Sequence, residues 1–255
     1  MRADRAQVSY RKGRIPAVLS WSSGKDAAHT LFEVRRQRIY EVVALLTTVE
    51  RLSGRVATHG VRGELLEQQA ASVDIPLLRV PLPPYPTNVV YEAAIASVLR
   101  GFREQGVRHV IFGDLFLEDL RRYRERQLSE LDMQCVFPLW GRDSRTLAQE
   151  MLGSGLEACV VSADTHRLPP GTAGRAFDAT FLNELPAAVD PCGENGEFHT
   201  FVTAGPVLRR PVPVRVGSVH VRDGFATADL RPTGPARERP RRGPSPPQRG
   251  SRRKG

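Results

Sequence analysis

The stretch LSWSSGKDAAHT, residues 19–30, places a short polar turn between an apolar run and a helix-like segment. Gly24 permits unusual backbone dihedrals, and the first amides of a helix that follows such a turn point outward at its positive end. This geometry binds phosphate or pyrophosphate. The turn is not a Walker A motif, because Leu19 stands where that motif needs glycine and Asp26 where it needs serine or threonine. The predicted phosphate-binding residues are Ser22, Ser23, Gly24, Lys25 and Asp26.

Two charged residues of this turn suit a phosphorylated ligand. Lys25 is one of three lysines among the 37 Lys and Arg residues of the chain. Its ammonium group is a compact point charge that can follow phosphate oxygens. Asp26 is a hard oxygen ligand of the kind that holds Mg²⁺ together with phosphates. The alternative is an ordinary turn in which Ser22 or Ser23 only caps the helix.

The segments around the turn predict the fold class. Apolar runs rich in Val, Ile and Leu alternate with helix-like segments, which is typical of an α/β doubly wound parallel sheet. The predicted strands are 15–21, 40–49, 76–82, 107–114, 135–140 and 157–163, and the predicted helices are 26–37, 62–73, 88–105, 119–131, 144–154 and 174–185. After residue 205, a period of two in the apolar residues predicts a small C-terminal antiparallel β appendage. In such sheets the ligand binds beyond the carboxyl ends of the strands.

The net charge of +9 is concentrated at the two ends of the chain. Residues 1–14 carry +4 and residues 233–255 carry +7, which leaves −2 for residues 15–232. We therefore expect a basic flexible N-terminus over 1–14, one folded unit over 15–232, and a disordered basic tail over 233–255. The tail could contact nucleic acid weakly through phosphates, although no aromatic residues stand between its arginines to stack on bases.

Several classes of protein are disfavoured by the sequence. No apolar run approaches the roughly 18 residues that a membrane span needs, and the first residues lack the apolar core of a signal peptide. Cys135, Cys159 and Cys192 form no CxxC pair, so neither a disulfide framework nor a zinc site is indicated. We expect a cytoplasmic protein with no membrane partner.

Further motifs accompany the turn in a fixed order. These are THGVRGELLEQQA (58–70), GDLFLEDLRRYRE (113–125), FPLWGRD (137–143) and DPCGENGEFHTF (190–201). Over residues 15–230 the chain resembles the diphthine–ammonia ligase-like family, and SSGKDA resembles the SGGxDS pyrophosphate loop of the N-type ATP pyrophosphatases, to which that family belongs. The resemblance implies a Rossmann-like fold, ATP binding, adenylation of an acceptor carboxylate with release of pyrophosphate, and amide formation with ammonia or an amine.

Two residues depart from the family pattern. Ser23 replaces the usual middle glycine of the loop, which makes the turn bulkier. Ala27 replaces a serine whose hydroxyl would donate to a phosphate oxygen. Because of these departures, a non-catalytic adenine-nucleotide-binding protein stays open as an alternative. An adenylating tRNA-modification enzyme is a third possibility, favoured by the basic ends of the chain but lacking a sulfur-carrying cysteine pair.

The motif at residues 113–125 adds candidates for the nucleotide site. Asp114 follows Gly113 at the predicted end of the fourth strand, where it could contact a second Mg²⁺ or the ribose, or simply cap a helix. Arg121 matches the arginine of the family motif, whereas its neighbouring arginines are typical of a solvated helix face. His59 borders the expected crevice from the loop after the second strand. Of these residues, Gly113, Arg121 and His59 are predicted to bind the nucleotide, and Asp114 to be catalytic.

The motif at residues 190–201 is the candidate substrate site. Two acidic residues flank a glycine and a histidine follows, which suits recognition of ammonia or an amine, or general-base catalysis. The alternative is a charged surface turn. Cys192 lacks the His–Asp partners of a nucleophile and is interpreted as a structural thiol. The predicted substrate-binding residues are Glu194, Asn195, Glu197 and His199, and Lys25, Asp114, Glu194 and Glu197 are the predicted catalytic residues.

Overall fold

The computed structural model describes residues 13–233 of the 255-residue chain. The expectations of a flexible N-terminus and of a disordered basic tail with weak nucleic-acid contacts fall almost entirely outside the described residues. Among residues 13–233, no helix combines the length and the apolar character that crossing a bilayer would require.

The first half of the chain forms a five-stranded parallel sheet in the order β3-β2-β1-β4-β5. Its strands are β1 (Ile15–Ser20), β2 (Tyr40–Glu50), β3 (Leu77–Leu82), β4 (His109–Ile111) and β5 (Gln134–Val136). The strand order reverses between β1 and β4, and this switch point is where open α/β sheets bind ligands. The predicted doubly wound, Rossmann-like α/β fold is confirmed.

Helices cover both faces of this sheet. They are α1 (Lys25–Gln37), α2 (Gly63–Val73), α3 (Asn88–Glu104), α4 (Glu118–Ser129), α5 (Ser144–Gly153) and α6 (Ala179–Glu184). One buried cluster unites α1, α2 and α5 with the first sheet, and a second cluster joins α3 and α4 to the other face. The last helix is shorter than the predicted 174–185, because Asp178 caps it by accepting a hydrogen bond from the Phe181 amide at 2.8 Å.

The second sheet is antiparallel and larger than the appendage that the sequence indicated. It contains β6 (Glu157–Asp164), β7 (Ala176–Phe177), β8 (Phe198–Ala204), β9 (Val214–Arg222) and β10 (Phe225–Pro232). The run 157–163 was expected in the parallel sheet, but it pairs antiparallel with β7, β8 and β10. A continuous apolar run fits either kind of sheet, so its composition alone could not identify its pairing partners.

The two sheets share the core on the α1 side. Strand β8 packs against α1, and β10 packs against α2. Buried side chains of the second sheet, including Phe198, Phe201 and Leu230, belong to the same apolar cluster as Leu31 of α1 and Leu65 of α2. The carboxyl edge of the first sheet is therefore flanked by segments from the second.

Candidate functional site

A cavity of about 510 Å³ opens at the carboxyl edge of the first sheet. Its polar wall is formed by the turn after β1, the loop after β2, the loop after β4 and residues just before and at the start of β8. Its apolar wall comes from α3, α4 and the sheet. The apolar residues include Leu46, Tyr91, Ile95, Leu99, Val110, Phe112, Leu120 and Leu128. A polar rim with a deep apolar wall is typical of sites for small ligands that carry both charged and flat apolar parts.

The phosphate turn, residues 22–26, joins β1 directly to the start of α1. The N-cap residue of α1 is Gly24, which has no side chain that could accept hydrogen bonds from the amides of the first helical turn. A Cβ atom at Gly24 would lie 3.0 Å from Cε1 of His59 and 3.2 Å from the carbonyl oxygen of Thr200. Glycine is therefore required here by close approach of the neighbouring elements. The first turn of α1 borders the cavity through Lys25, Asp26 and Ala27, while the amides of Gly24 and Lys25 donate to the hydroxyls of Ser22 and Thr200.

Ser23 adopts a left-handed backbone conformation with φ of 73°. A residue with a Cβ atom is strained in this region, which explains why glycine suits this position. The Ser23 side chain is fully buried, its hydroxyl has no hydrogen-bond partner, and it does not line the cavity. By contrast, Ser22 lines the cavity, and its hydroxyl accepts a hydrogen bond from the Gly24 amide at 3.3 Å.

Lys25 is the most buried charged side chain of the cavity wall, with 1% of its surface exposed. Its Nζ atom donates to both carboxylate oxygens of Asp26, at 3.0 and 2.9 Å, and to the carbonyl oxygen of Cys192. Burial would lower the pKa of Lys25, but the carboxylate of Asp26 and other nearby groups raise it above its ordinary value. The ammonium also lies 5.7 and 5.3 Å from the ring centroids of Phe177 and Phe198. Lys25 is therefore charged and almost completely buried, with part of its side chain bordering the cavity.

The second sheet holds the phosphate turn in place. The backbone amide of Lys25 donates to the Thr200 hydroxyl at 3.0 Å, and the amide of Val202 donates to the Ser23 carbonyl at 3.1 Å. The side chain of Gln69 from α2 donates to the carbonyls of Ser23 at 3.0 Å and Val202 at 2.7 Å. The two sheets and α2 thus meet at the turn.

The loop after β4 approaches α1 closely. A Cβ atom at Gly113 would lie 2.9 Å from the hydroxyl of Thr30 and 3.2 Å from the carbonyl of Asp26, so glycine is needed for this contact. Asp114 lines the cavity, but both of its carboxylate oxygens accept hydrogen bonds from Arg124, at 2.6 and 3.2 Å. Asp114 is therefore part of a bidentate ion pair at the cavity wall.

On α4, the arginine that lines the cavity is Arg124, which differs from the expectation for Arg121. The Arg124 guanidinium stacks over the Phe112 ring at 4.2 Å. Arg121 does not line the cavity; it lies 4.7 Å from the Trp140 ring centroid and donates to Glu125 at 2.8 Å. Arg121 and Arg124 are three positions apart and lie on the same side of α4, so helical spacing alone did not separate them.

Glu194 brings an acidic group into the same cavity. Its Oε1 atom accepts a hydrogen bond from the Leu115 amide at 2.7 Å, which connects the 190–197 loop to the loop after β4. Burial raises the pKa of Glu194 to about 7, with further contributions from the charges of Asp26 and Asp114. The Leu115 hydrogen bond and the charge of Lys25 act in the opposite direction. A carboxyl group that titrates near neutrality can both accept and donate a proton.

Glu197 and Asn195 do not line the cavity, unlike the expectation that they bind substrate. Glu197 is fully buried, and its Oε1 atom accepts hydrogen bonds from the Asp190 amide at 3.0 Å, the Asn195 side chain at 3.0 Å and Arg167 at 3.3 Å. Burial alone would raise the pKa of Glu197, but these hydrogen bonds outweigh it and lower the pKa below its ordinary value. Glu197 therefore acts as the internal support of the 190–197 loop, because its bonds hold the segment that carries Glu194.

His59 and His199 stack against each other at the cavity wall, with ring centroids 4.5 Å apart and an interplanar angle of 18°. Burial lowers the pKa of His59 well below its ordinary value, and burial together with Lys25 lowers that of His199 to about 4. Both rings are therefore neutral at pH 7. The Nδ1 atom of His59 is buried and has no hydrogen-bond partner.

The residues present suit a Mg²⁺ ion only together with phosphate oxygens. Within residues 13–233, no group of three or more His, Cys, Asp or Glu side chains is arranged to hold a metal ion. Mg²⁺ in nucleotide sites takes one or two carboxylates, waters and phosphate oxygens, and it does not need a full protein cage. The Asp26 carboxylate lines the cavity, and 30% of the side-chain surface is exposed, so it is available for this role.

Three important residues were not among the sequence-based candidates. Gln69 lies on the buried face of α2 beside Leu65, Leu66 and Ala70, and a lone amide in such an apolar stripe is the available signal. Thr200 and Arg124 belong to the quoted motifs, but no sequence feature distinguished them from their neighbours.

The fold and the cavity define the chain as a Rossmann-like α/β protein of the nucleotide-binding class, with a polar turn after its first strand. Family models agree with this class: residues 15–135 match the diphthamide synthase N-terminal domain and residues 143–226 match the diphthamide synthase C-terminal domain. The chain belongs to the diphthamide synthase family, which confirms the resemblance noted in its motifs.

Curated relatives point to the same family. The chain is 32% identical over 118 residues to a diphthine–ammonia ligase of Bos taurus, and 31% identical over 118 residues to those of Danio rerio and Homo sapiens. The matches cover 43% of this chain and 44%, 46% and 44% of the respective relatives. The chain therefore matches less than half of the length of these proteins.

Proposed function

We propose that the chain is an ATP-dependent, AMP-forming ligase that adenylates an acceptor carboxylate and joins it to ammonia or an amine. The observation that carries this proposal is that one cavity combines the turn at the start of α1 with Glu194, a partly buried carboxyl group whose pKa is raised to about 7. The family relationship supports a ligase, since the relatives are named diphthine–ammonia ligases.

The proposed place of ATP follows from the two walls of the cavity. The phosphates would lie at the first turn of α1, where Lys25 and Asp26 supply a cation and a ligand for Mg²⁺. The adenine ring would lie against the apolar wall between Tyr91, Ile95 and Leu46. This arrangement leaves the α-phosphate near the side of the cavity that carries Glu194 and His199.

The proposed reaction has two steps. First, an oxygen of the acceptor carboxylate attacks the α-phosphorus of ATP, forming an acyl-adenylate while the bond to the β-phosphate breaks and pyrophosphate leaves. The positive end of α1 and Lys25 stabilise the charge on the leaving group, and a Mg²⁺ ion held by Asp26 would supply further positive charge there. Second, ammonia or an amine attacks the acyl carbon and AMP leaves.

Glu194 is the proposed general base of the second step. Its carboxylate, when ionised, accepts the proton that the attacking nitrogen loses, and its pKa of about 7 matches the conditions in which such transfer is efficient. His199 is neutral and close to the same wall, so it is proposed to orient the amine or the acceptor. Glu197 and Asn195 are proposed to support the loop and not to contact substrate.

The test follows AMP formation from α-labelled ATP, and pyrophosphate release from γ-labelled ATP, with Mg²⁺, candidate carboxylate acceptors and ammonium. Diphthine is the first acceptor to test, since the relatives' printed name contains it. We expect AMP and pyrophosphate in equal amounts, dependent on both acceptor and Mg²⁺. Binding of ATP without pyrophosphate release in the presence of any acceptor would instead favour the non-catalytic nucleotide-binding alternative. Release that requires tRNA would favour the tRNA-modification alternative.

A further inference from the structure

Three arginines converge on one carboxylate at the border between the two sheets. Asp229 of β10 accepts hydrogen bonds from Arg55 at 2.8 Å, from Arg62 at 2.8 and 2.7 Å, and from Arg231 at 3.0 Å. Only 11% of the Asp229 side chain is exposed. Hydrogen bonding to Arg62 in particular, and to the other two arginines, holds the pKa of Asp229 far below its ordinary value. Asp229 also lies beyond residue 226, where the matched C-terminal domain ends.

Two of these arginines stand at opposite ends of one loop segment. Arg55 and Arg62 flank residues 56–61 of the loop between β2 and α2. Within it, Arg55 also donates to the Gly60 carbonyl at 2.7 Å, and the Val56 amide donates to the Val61 carbonyl at 2.8 Å. The loop is therefore closed on itself and attached at both ends to a single carboxylate of the second sheet. Arg231 differs, because it belongs to β10 and does not bridge the two elements.

This loop forms part of the cavity wall. Val56, Thr58 and His59 line the cavity, and His59 stacks on His199 and lies close to Gly24 of the phosphate turn. A displacement of the loop would therefore move the wall that faces the phosphates. Bidentate, partly buried ion pairs that form a network hold geometry better than isolated surface pairs, which contribute little.

We propose that Asp229 is a positioning residue for the nucleotide site: by binding Arg55 and Arg62, it fixes the loop that places His59 against the phosphate turn. This inference rests on the proposed function only in naming ATP as the ligand. The restraint that Asp229 places on the loop exists in the free protein, so it can be measured without any nucleotide.

The first experiment measures amide hydrogen exchange of residues 56–61 in the free protein. Asp229→Asn should exchange faster there, and Arg62→Gln should show the same change because it removes the bidentate bridge. The matched controls are Arg231→Gln, which removes a contact within β10, and Asp223→Asn. Asp223 sits on the same hairpin, pairs with its neighbour Arg222 at 3.3 Å and is 74% exposed. Both controls should exchange as the wild type does.

The second experiment measures Mg–ATP binding and steady-state kinetics of the same variants. We expect Asp229→Asn to weaken ATP binding by about tenfold, within the usual range of coupling between linked sites, and to raise KM for ATP with little change in kcat. Asp229→Glu, which keeps the charge, should lie closer to wild type. If Asp229→Asn does not fold, Arg55→Gln replaces it with the same expected direction and a smaller size.

The outcomes separate the two proposals. If Asp229→Asn leaves both the amide exchange and the ATP affinity unchanged, the positioning role is overturned. An equal loss of ATP affinity in Arg231→Gln and Arg62→Gln would also overturn it, because the cluster would then only stabilise β10. If the wild-type protein binds no ATP but residues 56–61 exchange faster in Asp229→Asn, the proposed function is rejected. The positioning of the loop by Asp229 is then still supported.

Discussion

The Oε1 atom of Glu194 lies 2.7 Å from the backbone nitrogen of Leu115, and this hydrogen bond joins residues 79 positions apart in the chain. Its consequence is chemical as well as structural. The donor holds the carboxyl group beside Asp26 and Asp114, in surroundings that disfavour its ionised form. The pKa of this carboxyl group is thereby raised to about 7.

The rate of amide formation should rise with pH through about 7 and level off above it. Glu194, with its pKa of about 7, must lose its proton before it can act as the base, so the active fraction grows as the pH passes that value. Glu194→Gln should remove this limb and lower kcat by about 10²–10⁴-fold. The measurement is the pH profile of kcat for both proteins with saturating ATP, acceptor and ammonium. A limb that persists in the Gln variant would exclude Glu194 as its origin.

Stability gives an independent check of the same pKa. Because the folded pKa lies above that of an unfolded glutamate, the folded state holds a proton that the unfolded state releases as the pH rises from 4.5 to 7. Wild-type stability should therefore fall relative to that of Glu194→Gln across this window. Urea unfolding of both proteins at pH 5 and pH 8 measures the difference. Parallel curves at the two pH values would contradict the raised pKa.

Glu197→Gln should reduce stability rather than impair chemistry directly. Replacing the carboxylate weakens three hydrogen bonds that hold the 190–197 loop, which costs about 1–3 kcal/mol for a buried charged acceptor. We expect a lower unfolding midpoint and a weaker Leu115–Glu194 contact, seen as faster exchange of the Leu115 amide. Glu184→Gln is the control, since it makes the same change at a glutamate that is 56% exposed and pairs with Arg175 at 2.6 Å. A Glu197 variant of wild-type stability would remove its supporting role.

Lys25→Arg should impair ATP binding although it preserves the charge. The lysine fills a closed space between Asp26, the Cys192 carbonyl and two phenylalanine rings, and a planar guanidinium is larger than that space allows. Overpacking of this kind typically costs about 1–3 kcal/mol. Titration calorimetry with Mg–ATP and thermal unfolding should both register the change. Wild-type affinity and stability in this variant would show that the space is not restrictive.

Ser23→Gly should stabilise the protein by about 1 kcal/mol, or about 2–4 °C in Tm for a domain of this size. The reason is that the left-handed backbone of Ser23 is strained by its Cβ atom, and that its buried hydroxyl has no hydrogen-bond partner. Ser22→Ala is the contrasting control, since it removes an acceptor that the Gly24 amide uses and should lower Tm. Thermal unfolding of the two variants decides the matter. A lower Tm for Ser23→Gly would mean that the hydroxyl has a partner in solution.

Much of this fold could be predicted because it depends on local periodicity. Five of the six predicted helices begin and end within two residues of those found, and β1 to β3 agree nearly as well. The run at 157–163 was placed in the wrong sheet because pairing is decided by distant segments such as β8 and β10, whose positions no local pattern records.

The candidate site was predictable to the level of its motifs but not of individual side chains. Ser22, Lys25, Asp26, Glu194 and His199 meet at one cavity, whereas Ser23 and Gly24 shape the turn without lining it. Glu197 has the same residue type and nearly the same sequence context as Glu194, yet strand β8 begins one residue later and turns it into the interior. The direction of a side chain within a loop depends on tertiary contacts, so the motif could not distinguish a group that faces the ligand from one that supports the backbone.

The bond between the Lys25 amide and the Thr200 hydroxyl spans 175 positions, and the Lys25–Cys192 contact spans 167. Contacts of this range form only after residues 192–200 have been synthesised, and closing them costs the conformational entropy of the long intervening segment. A chain that has released only the first sheet therefore lacks the partners that hold residues 22–26 in place. Once the second sheet has packed against the first, a nucleotide that binds at this cavity would stabilise both sheets together. The ligand would therefore add to stability only late in folding, by binding the folded protein.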